Sequence, residues 1–377
     1  MLETYSAGGP TVTDQRLSTD KRQPLRIINS VAPIRICDNG GWTDTWFAGH
    51  GKIFNIGVYP YAEVQIEVYP YSEAAPGGRV EIFAENYGER YVRDPEKGVW
   101  DRHPLLEAAI ERMRVPKDVA IRVTIFSEAP AGASTGTSAS VTVALVGALD
   151  LLTPGRLTPH EAAYTAHAIE SEMLKRQSGI QDQLCAAYGG INYMEMFKYP
   201  HASVSSVEIP NPVWWELERR LVLIYLGRSH DSSQVHEKVI AQLEDAGGKS
   251  QPLEDMRRTA EQARDAVYAG DFVALGNSMT ANTEAQARLH PELVGQQARR
   301  VIEIAQAHGA LGWKVNGAGG EGGSLTLLCN ALSPAKRALI REIEQDDPLC
   351  RNIPIYLSRH GLRVWERKLA GENQASR

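Results

Sequence analysis

Apolar and polar positions alternate with a period of two from Ala120 to Phe126, where Ile121, Val123 and Ile125 are separated by Arg122 and Thr124. That spacing puts successive side chains on opposite faces and predicts a strand with one buried side. Val58, Ala62, Val64, Ile66 and Val68 share one parity within a second strand over Ile53–Val68, and Leu25–Ile36, Arg79–Ala84 and Ile191–Met196 read as further strands. Helical spacing carries Leu105, Leu106, Ala109, Ile110 and Met113 through a predicted helix over Pro104–Met113. A second helix is expected over Val141–Leu152. A third runs over Thr158–Lys175, with Thr158 as cap, Glu161 three residues on, and Ala162, Ala163, Ala166 and Ile169 on one stripe. Beyond Pro200–Pro212, a weak strand set between prolines, the texture changes. Leu221–Leu226 is a continuous apolar run suited to a buried strand, and Arg228-Ser-His-Asp-Ser-Ser233 caps a helix predicted through Gln242. Helices follow over Leu253–Ala269, Phe272–His290, Glu292–His308 and Leu332–Asp346, with strands at Ser324–Leu328, Ile353–Tyr356 and Arg363–Trp365. The expected class is α/β (α+β), in two domains over 26–198 and 199–377. Residues 1–25, rich in Ser, Thr, Gly and charge without a hydrophobic period, are expected to be a loose tail.

At 377 residues the chain exceeds the usual single-core size, so length allows two domains or one large α/β domain. A net charge of −6 without a Lys/Arg block argues against a nucleic-acid face, so an anionic ligand must be held by a few local cations. No apolar run approaches the roughly eighteen residues of a membrane span, and no signal-peptide core leads the chain. The expectation is a soluble, cytoplasmic protein with neither membrane nor nucleic-acid partner. Cys37, Cys185, Cys329 and Cys350 lack any Cys-x-x-Cys spacing and read as thiols rather than a disulfide or zinc framework.

Three stretches of small residues interrupt the pattern. Glu128–Ser140 joins the Ala120–Phe126 strand to the helix from Val141. Without bulky side chains its backbone N–H groups can close on an anion, and the helix N-terminus adds roughly half a unit of positive charge. A phosphate cradle fits, and so does a tight turn with a Ser/Thr cap on a buried helix. The loop is neither a Walker sequence nor a Gly-x-Gly-x-x-Gly fingerprint. The second stretch, Ala32–Asp44, is a strand ending in a glycine turn, with Arg35 before the turn and Thr43 and Asp44 after it; an exposed strand residue and an ordinary hairpin are its other reading. The third is the glycine cluster Lys314–Gly323. Glu170 and Glu172 stand near a predicted helix C-terminus, where carboxylates oppose the macrodipole and call for a compensating cation, unless they form a solvated surface pair. Asp182, between two glutamines at the mouth of a small-residue helix, is placed as an N-cap or a base.

Taken together and in this order, these segments resemble the GHMP kinases. Ala32-Pro-Ile-Arg-Ile through Gly41-Trp-Thr-Asp44 is similar to their first motif, Pro130–Ser140 to their ATP loop and Val315–Gly320 to their third motif, and the separation of Glu170 from Asp182 resembles the sugar-kinase branch. The resemblance implies a two-domain GHMP kinase fold with the active site in the interdomain cleft, and phosphoryl transfer from ATP with Mg²⁺ to a small-molecule sugar or sugar phosphate. Pro130, Gly132, Ser134, Gly136, Thr137, Ser138 and Ala139 would line the ATP phosphates. Ser138 and Glu170 would hold Mg²⁺, with Thr137 the substitute for Ser138. Asp182 would be the base on the sugar hydroxyl, and Arg35 would orient it or neutralise charge between hydroxyl and γ-phosphate. Asp44, with Thr43 a weaker neighbour, would accept hydrogen bonds from sugar hydroxyls, and Gly317, Gly319 and Gly320 would let their loop approach the substrate. Gly40–Thr45 resembles the fucose kinases, and Gln181-Asp182-Gln183 the heptose 7-phosphate kinases. Both phosphorylate an anomeric hydroxyl, so a heptose 7-phosphate is the first expectation and a free monosaccharide such as fucose the second. Arg228 or His230 would meet a substrate phosphate. Ser134-Thr135 stands where the family usually has Gly-Leu, and Glu321 interrupts the third motif. Those departures support the rival of another class, an inactive sugar- or nucleotide-binding pseudo-kinase.

Overall fold

The fold is seen in a computed structural model that describes residues 22–96, 98–227, 239–241, 243 and 249–367. Arg228, His230 and most of the expected tail and Arg228–Gln242 helix lie outside the described residues. The chain opens with β1 (Arg26–Asn39), β2 (Gly51–Pro70), β3 (Val80–Ala84), β4 (Glu89–Arg93), α1 (Pro104–Met113) and β5 (Val119–Ser127). Next come α2 (Thr137–Asp150), α3 (Pro159–Ala168) with a π turn over Ile169–Met173, α4 (Gln181–Tyr188), β6 (Ile191–Lys198) and β7 (His201–Ser206). The second half carries α5 (Asn211–Arg220), β8 (Leu221–Tyr225), α6 (Gln251–Ala269), α7 (Phe272–Leu289), α8 (Gln296–Ala307), β9 (Gly312–Val315) and β10 (Ser324–Leu328). It closes with α9 (Ser333–Asp346), β11 (Arg351–Ile353), β12 (Tyr356–Leu357) and β13 (Arg363–Arg367).

Two sheets organise these elements. The larger runs β13-β1-β2-β5-β3-β4, with β6 and β12 also on β2 and β7 on β6; the smaller runs β11-β8-β10-β9. Of the strand pairs in the two sheets, β3 with β5 is parallel and the others are antiparallel. The long strand β2 serves two neighbours, pairing with β6 through Gly51–Ile56 and with β5 through Ala62–Pro70. Register shifts on β1 after Pro33 and after Ile36 re-aim its last residues, the ones that carry Arg35 and Asp38.

Packing follows the patterning. Ile28, Ile66 and Val123 from the large sheet bury against Val143 and Leu145 of α2 and Leu184 of α4. A second cluster joins Ile34, Ile36, Phe54 and Ile56 to Ala263 and Val267 of α6 and Met279 of α7, so the two halves share one continuous apolar contact. The small sheet packs Val222, Ile224 and Leu325 against Val301 and Ile304 of α8 and Leu339 of α9.

The expected division at 198/199 falls inside the β6–β7 hairpin, and β12 and β13 return from the chain's end to the first sheet. The layers are therefore set by the two sheets and not by two contiguous halves. The second helix begins at Thr137 rather than Val141; its polar first turn is already helical, with the Ser140 and Thr142 hydroxyls donating to the carbonyls of Gly136 and Ser138. The expected helix over Thr158–Lys175 is α-helical only to Ala168 and then widens into the π turn. Its Thr158–Glu161 capping box is present as expected.

Candidate active site

A cavity of about 1190 Å³ opens where the end of β1, the loop before α2, the π turn, the start of α4 and the loop after β9 converge. Arg35 is buried, 4% exposed. Its Nε donates to Asp182 Oδ1 at 2.8 Å and its Nη2 to Oδ2 at 3.3 Å, while Nη1 donates to the Ser134 carbonyl. Burial pulls the guanidinium pKa down, but Asp182 and then Asp38 outweigh it and the pKa is raised, so Arg35 stays charged. The Asp182 side chain, on the first turn of α4, keeps 28% of its surface open. One carboxylate is thus both oriented and reachable, as a general base requires.

The first turn of α2 stands beside it. A Cβ on Gly136 would lie 3.0 Å from Asp182 Cγ. Gly136 is also the N-cap and supplies no side-chain bond, so the first N–H groups of α2 have no side-chain cap and suit an anion. All seven expected cofactor-loop residues, Pro130, Gly132, Ser134, Gly136, Thr137, Ser138 and Ala139, line the cavity. The π turn brings in Glu170, whose Oε2 accepts from Gln183 Nε2 at 2.8 Å and Ser178 Oγ at 3.3 Å. Burial raises the Glu170 pKa against the pull of Arg176, and Asp182 adds to the rise. A desolvated carboxylate facing the same cavity as a serine hydroxyl makes an all-oxygen donor set that suits Mg²⁺. Among the described residues no three His, Cys, Asp or Glu side chains gather as a metal cluster, so a cation there would draw further ligands from phosphate and water.

At the far end Asp44 lines the cavity, and its Oδ2 accepts from the Gln181 N–H at 3.0 Å. Burial pushes its pKa up to about 6, with Asp182 adding to the shift and the Gln181 N–H and Arg35 opposing it. Thr43 does not reach the cavity. It is fully buried, donates to the Gly40 carbonyl at 2.7 Å and accepts from the Lys52 N–H at 3.1 Å, which closes the turn. Of the three glycines proposed for the substrate loop, Gly317 lines the cavity. It has φ +58°, and a Cβ there would approach Ser134 O at 3.0 Å and Arg35 Nη2 at 3.1 Å. Gly319 and Gly320 instead pack on the segment before α8, where the Gly320 N–H donates to the Leu293 carbonyl at 3.1 Å.

The departures from the family pattern also find places. Ser134 takes φ +55° and offers its carbonyl to Arg35; Thr135 is buried with its Oγ1 3.2 Å from Thr137 Oγ1. Glu321 accepts the Gln296 N–H at 3.0 Å at the start of α8 and is not part of the cavity wall. Sequence reasoning passes over Asp38, Lys175 and Arg176, which line the cavity, and the buried Lys314 behind it. Asn86, Tyr87, Arg102 and His103, which the sequence does not single out, also line the cavity.

Comparison with known proteins bears on the same segments. Residues 104–190 match the model of the GHMP kinases N terminal domain, and 263–342 that of the GHMP kinases C terminal. The chain is 26% identical over 209 residues to a D-glycero-alpha-D-manno-heptose 7-phosphate kinase of Campylobacter jejuni, covering 55% of this chain and 60% of that protein. It is 31% identical over 259 residues to a mevalonate kinase of Thermococcus sibiricus, covering 66% of this chain and 70% of the relative. A crystal structure of a D-glycero-D-manno-heptose 1-phosphate kinase from Bacteroides thetaiotaomicron superposes with a TM-score of 0.67 at 21% identity, covering 90% of this chain and 98% of that one, and shows the shared fold.

Proposed function

The chain belongs to the GHMP kinases, and from that premise we propose that it is an ATP-dependent sugar kinase that phosphorylates an anomeric hydroxyl, with a heptose 7-phosphate as first substrate. The observation that carries this reading is the Arg35–Asp182 pair, set against the N-terminus of α2 in one cavity. In the reaction the sugar hydroxyl oxygen forms a bond to the γ-phosphorus while the bond from that phosphorus to the bridging oxygen of ADP breaks. The hydroxyl proton passes to the Asp182 carboxylate, and ADP leaves with the electron pair. Arg35 holds the carboxylate in place, the α2 N–H groups receive the phosphates, and Asp44 accepts from a sugar diol, since a carboxylate offers only acceptor sites. When bound, Mg²⁺ neutralises charge on the β- and γ-phosphates, and Ser138 and Glu170 are the residues that would hold it.

Two other acceptors have support. A free monosaccharide such as fucose suits Asp44 equally well, because a diol is common to many pyranoses. A mevalonate-type acid is favoured by the 31% identity to a mevalonate kinase, but Asp44 and Asp182 together repel a carboxylate at that end of the cavity. The test is an ATP-consumption screen over free sugars, sugar phosphates and mevalonate, with the phosphorylated position assigned by NMR. Turnover of a heptose phosphate above every neutral sugar, with phosphate on the anomeric oxygen, is expected. Phosphate on another carbon overturns the anomeric assignment, and no turnover with any acceptor favours the pseudo-kinase.

A further inference from the structure

Arg35 has a second carboxylate that the transfer step does not use. Asp38, three residues on along β1, is fully buried, with its Oδ2 3.8 Å from Arg35 Nη2. That same oxygen accepts from the Gly317 N–H at 2.9 Å, and Oδ1 lies 3.2 Å from Lys314 Nζ. Lys314 stands on β9 in the opposite sheet, with no exposed surface, and also donates to Gln286 Oε1 of α7 at 3.2 Å and to the Val315 carbonyl. Gln286 in turn donates to the Gly317 carbonyl at 3.0 Å. A chain of alternating charge therefore runs from the small sheet to the cavity: Lys314, Asp38, Arg35, Asp182. Polar contacts around it tie the same strand ends, with Asn316 Oδ1 accepting the Cys37 N–H at 3.1 Å.

We propose that Asp38 and Lys314 are positioning residues for phosphoryl transfer: Asp38 holds the Arg35 guanidinium against Asp182 and is itself braced by Lys314 from the opposite sheet. The inference rests on the kinase reading above. Its physical basis is the fate of charge during the reaction. Before transfer, Arg35 is compensated by two carboxylates. Once Asp182 takes the hydroxyl proton it is neutral, and a buried guanidinium without a counter-ion would drift or draw in water. Asp38 has nothing to do with the proton and keeps its charge. Its Oδ2 accepts the Gly317 N–H and its Oδ1 faces the Lys314 ammonium in an ion pair, so groups of the second half of the chain hold it in place. Burial lowers the Lys314 pKa and the Asp38 carboxylate opposes that fall, so the ammonium depends on this partner. The same pair fixes the Gly317 loop, so loop placement and base orientation are set by one contact.

The test uses the full chain with Asp38→Asn, Lys314→Met and the two combined. Each single change strands a buried charge, and Tm is expected to fall; the paired variant removes both charges and is expected to recover most of the Tm. If the pair served stability alone, activity would return with the Tm. A positioning role instead leaves the paired variant about tenfold to a hundredfold down in kcat, with KM for sugar and for ATP within about twofold of the parent. In an Arg35→Gln background the same pair of changes is expected to lower kcat no further, because the residue it positions is gone. Parental kcat in the stable paired variant overturns the proposal, as does a further tenfold loss in the Arg35→Gln background. Should the paired variant not fold by circular dichroism, Asp38→Glu replaces it: the charge is kept and the carboxylate displaced, so a fall in kcat at constant KM supports the role and an unchanged kcat overturns it. Absence of kinase activity in the parent protein defeats the underlying reading instead, and the two failures are told apart by that control.

Discussion

At the scale of single residues, two carboxylates in one cavity are set for different work by their surroundings. Asp182 is held side-on by Arg35 and open to the cavity, the placement that fits the proposed base. Asp182→Asn keeps the shape and removes the base; kcat with saturating sugar and Mg-ATP is expected to drop about a hundredfold to ten-thousandfold, with KM for ATP little changed. Turnover near the parental rate would exclude Asp182 as an essential base. Asp44 is buried and accepts a backbone N–H, and its pKa is pushed up to about 6 from 3.8. Because the folded value is the higher one, this group favours the native state at low pH, and that contribution is lost as pH rises from about 4 through 6. Ionised Asp44 thus costs about 3 kcal/mol of stability above that range. Asp44→Asn is expected to raise Tm at pH 8, leave it unchanged near pH 4, and raise KM for the sugar. Scanning calorimetry at the two pH values checks the sign, and an equal Tm at pH 8 would show that the carboxylate is not held at a cost.

Among the elements, the π turn after α3 decides where Glu170, the proposed Mg²⁺ ligand, enters the cavity. An α-helix continued through Lys175 would have left Glu170 on a regular helical face; the widened turn instead aims it at Ser178 and Gln183 beside the first turn of α2. Glu170→Gln is expected to weaken the apparent Mg²⁺ affinity, read from activity at saturating ATP, by at least about tenfold. An unchanged Mg²⁺ titration would remove Glu170 from the donor set. Alternation makes β5 and most of β2 legible in the sequence, because one face of each is buried and parity records it. The π turn leaves no such trace, since a shifted hydrogen bond changes no apolar period. Lys314 escapes notice for a related reason: a lysine on a four-residue strand reads as exposed, and only its contact with Asp38 across the sheets makes burial tolerable. Asp44 and Thr43 are legible as a pair but not as a direction. The turn sends one side chain to the cavity and uses the other to close on Gly40 and Lys52.

For the whole molecule the question is where attraction for the proposed sugar phosphate would come from. Net charge is −6, which gives no long-range pull on a phosphate, and exposed charges further apart than about 10 Å are screened in ordinary salt. The contact must then be local. Within the cavity Arg35 is engaged by Asp182 and Asp38, and behind it Lys314 is engaged by Asp38. Arg102, also on the cavity wall, pairs with Glu89 and lies over the Tyr91 ring. Lys175 and Arg176 are different: both are exposed on the cavity wall, on the loop that follows the π turn and leads to Gly179 beside Asp44. That loop is anchored by the Arg176 N–H on the Glu170 carbonyl at 3.0 Å and by Tyr199 Oη on the Ser178 carbonyl at 2.9 Å, so two cations are presented on a held backbone. A charge-assisted phosphate contact is worth on the order of 1.5–3 kcal/mol. Replacing both residues by Ala is therefore expected to raise KM for a sugar phosphate by at least about tenfold. KM for any neutral sugar the enzyme accepts is expected to stay unchanged, and Tm to stay unchanged for Lys175→Ala alone, since Arg176 also acts on the buried Glu170 carboxylate. Steady-state kinetics with matched phosphorylated and free sugars separates the outcomes. A rise confined to the sugar phosphate places its phosphate at this loop. A rise in KM for ATP alone assigns the two cations to the nucleotide and leaves the acceptor sugar without a phosphate contact there, in which case a neutral sugar becomes the better substrate for Asp44 to hold.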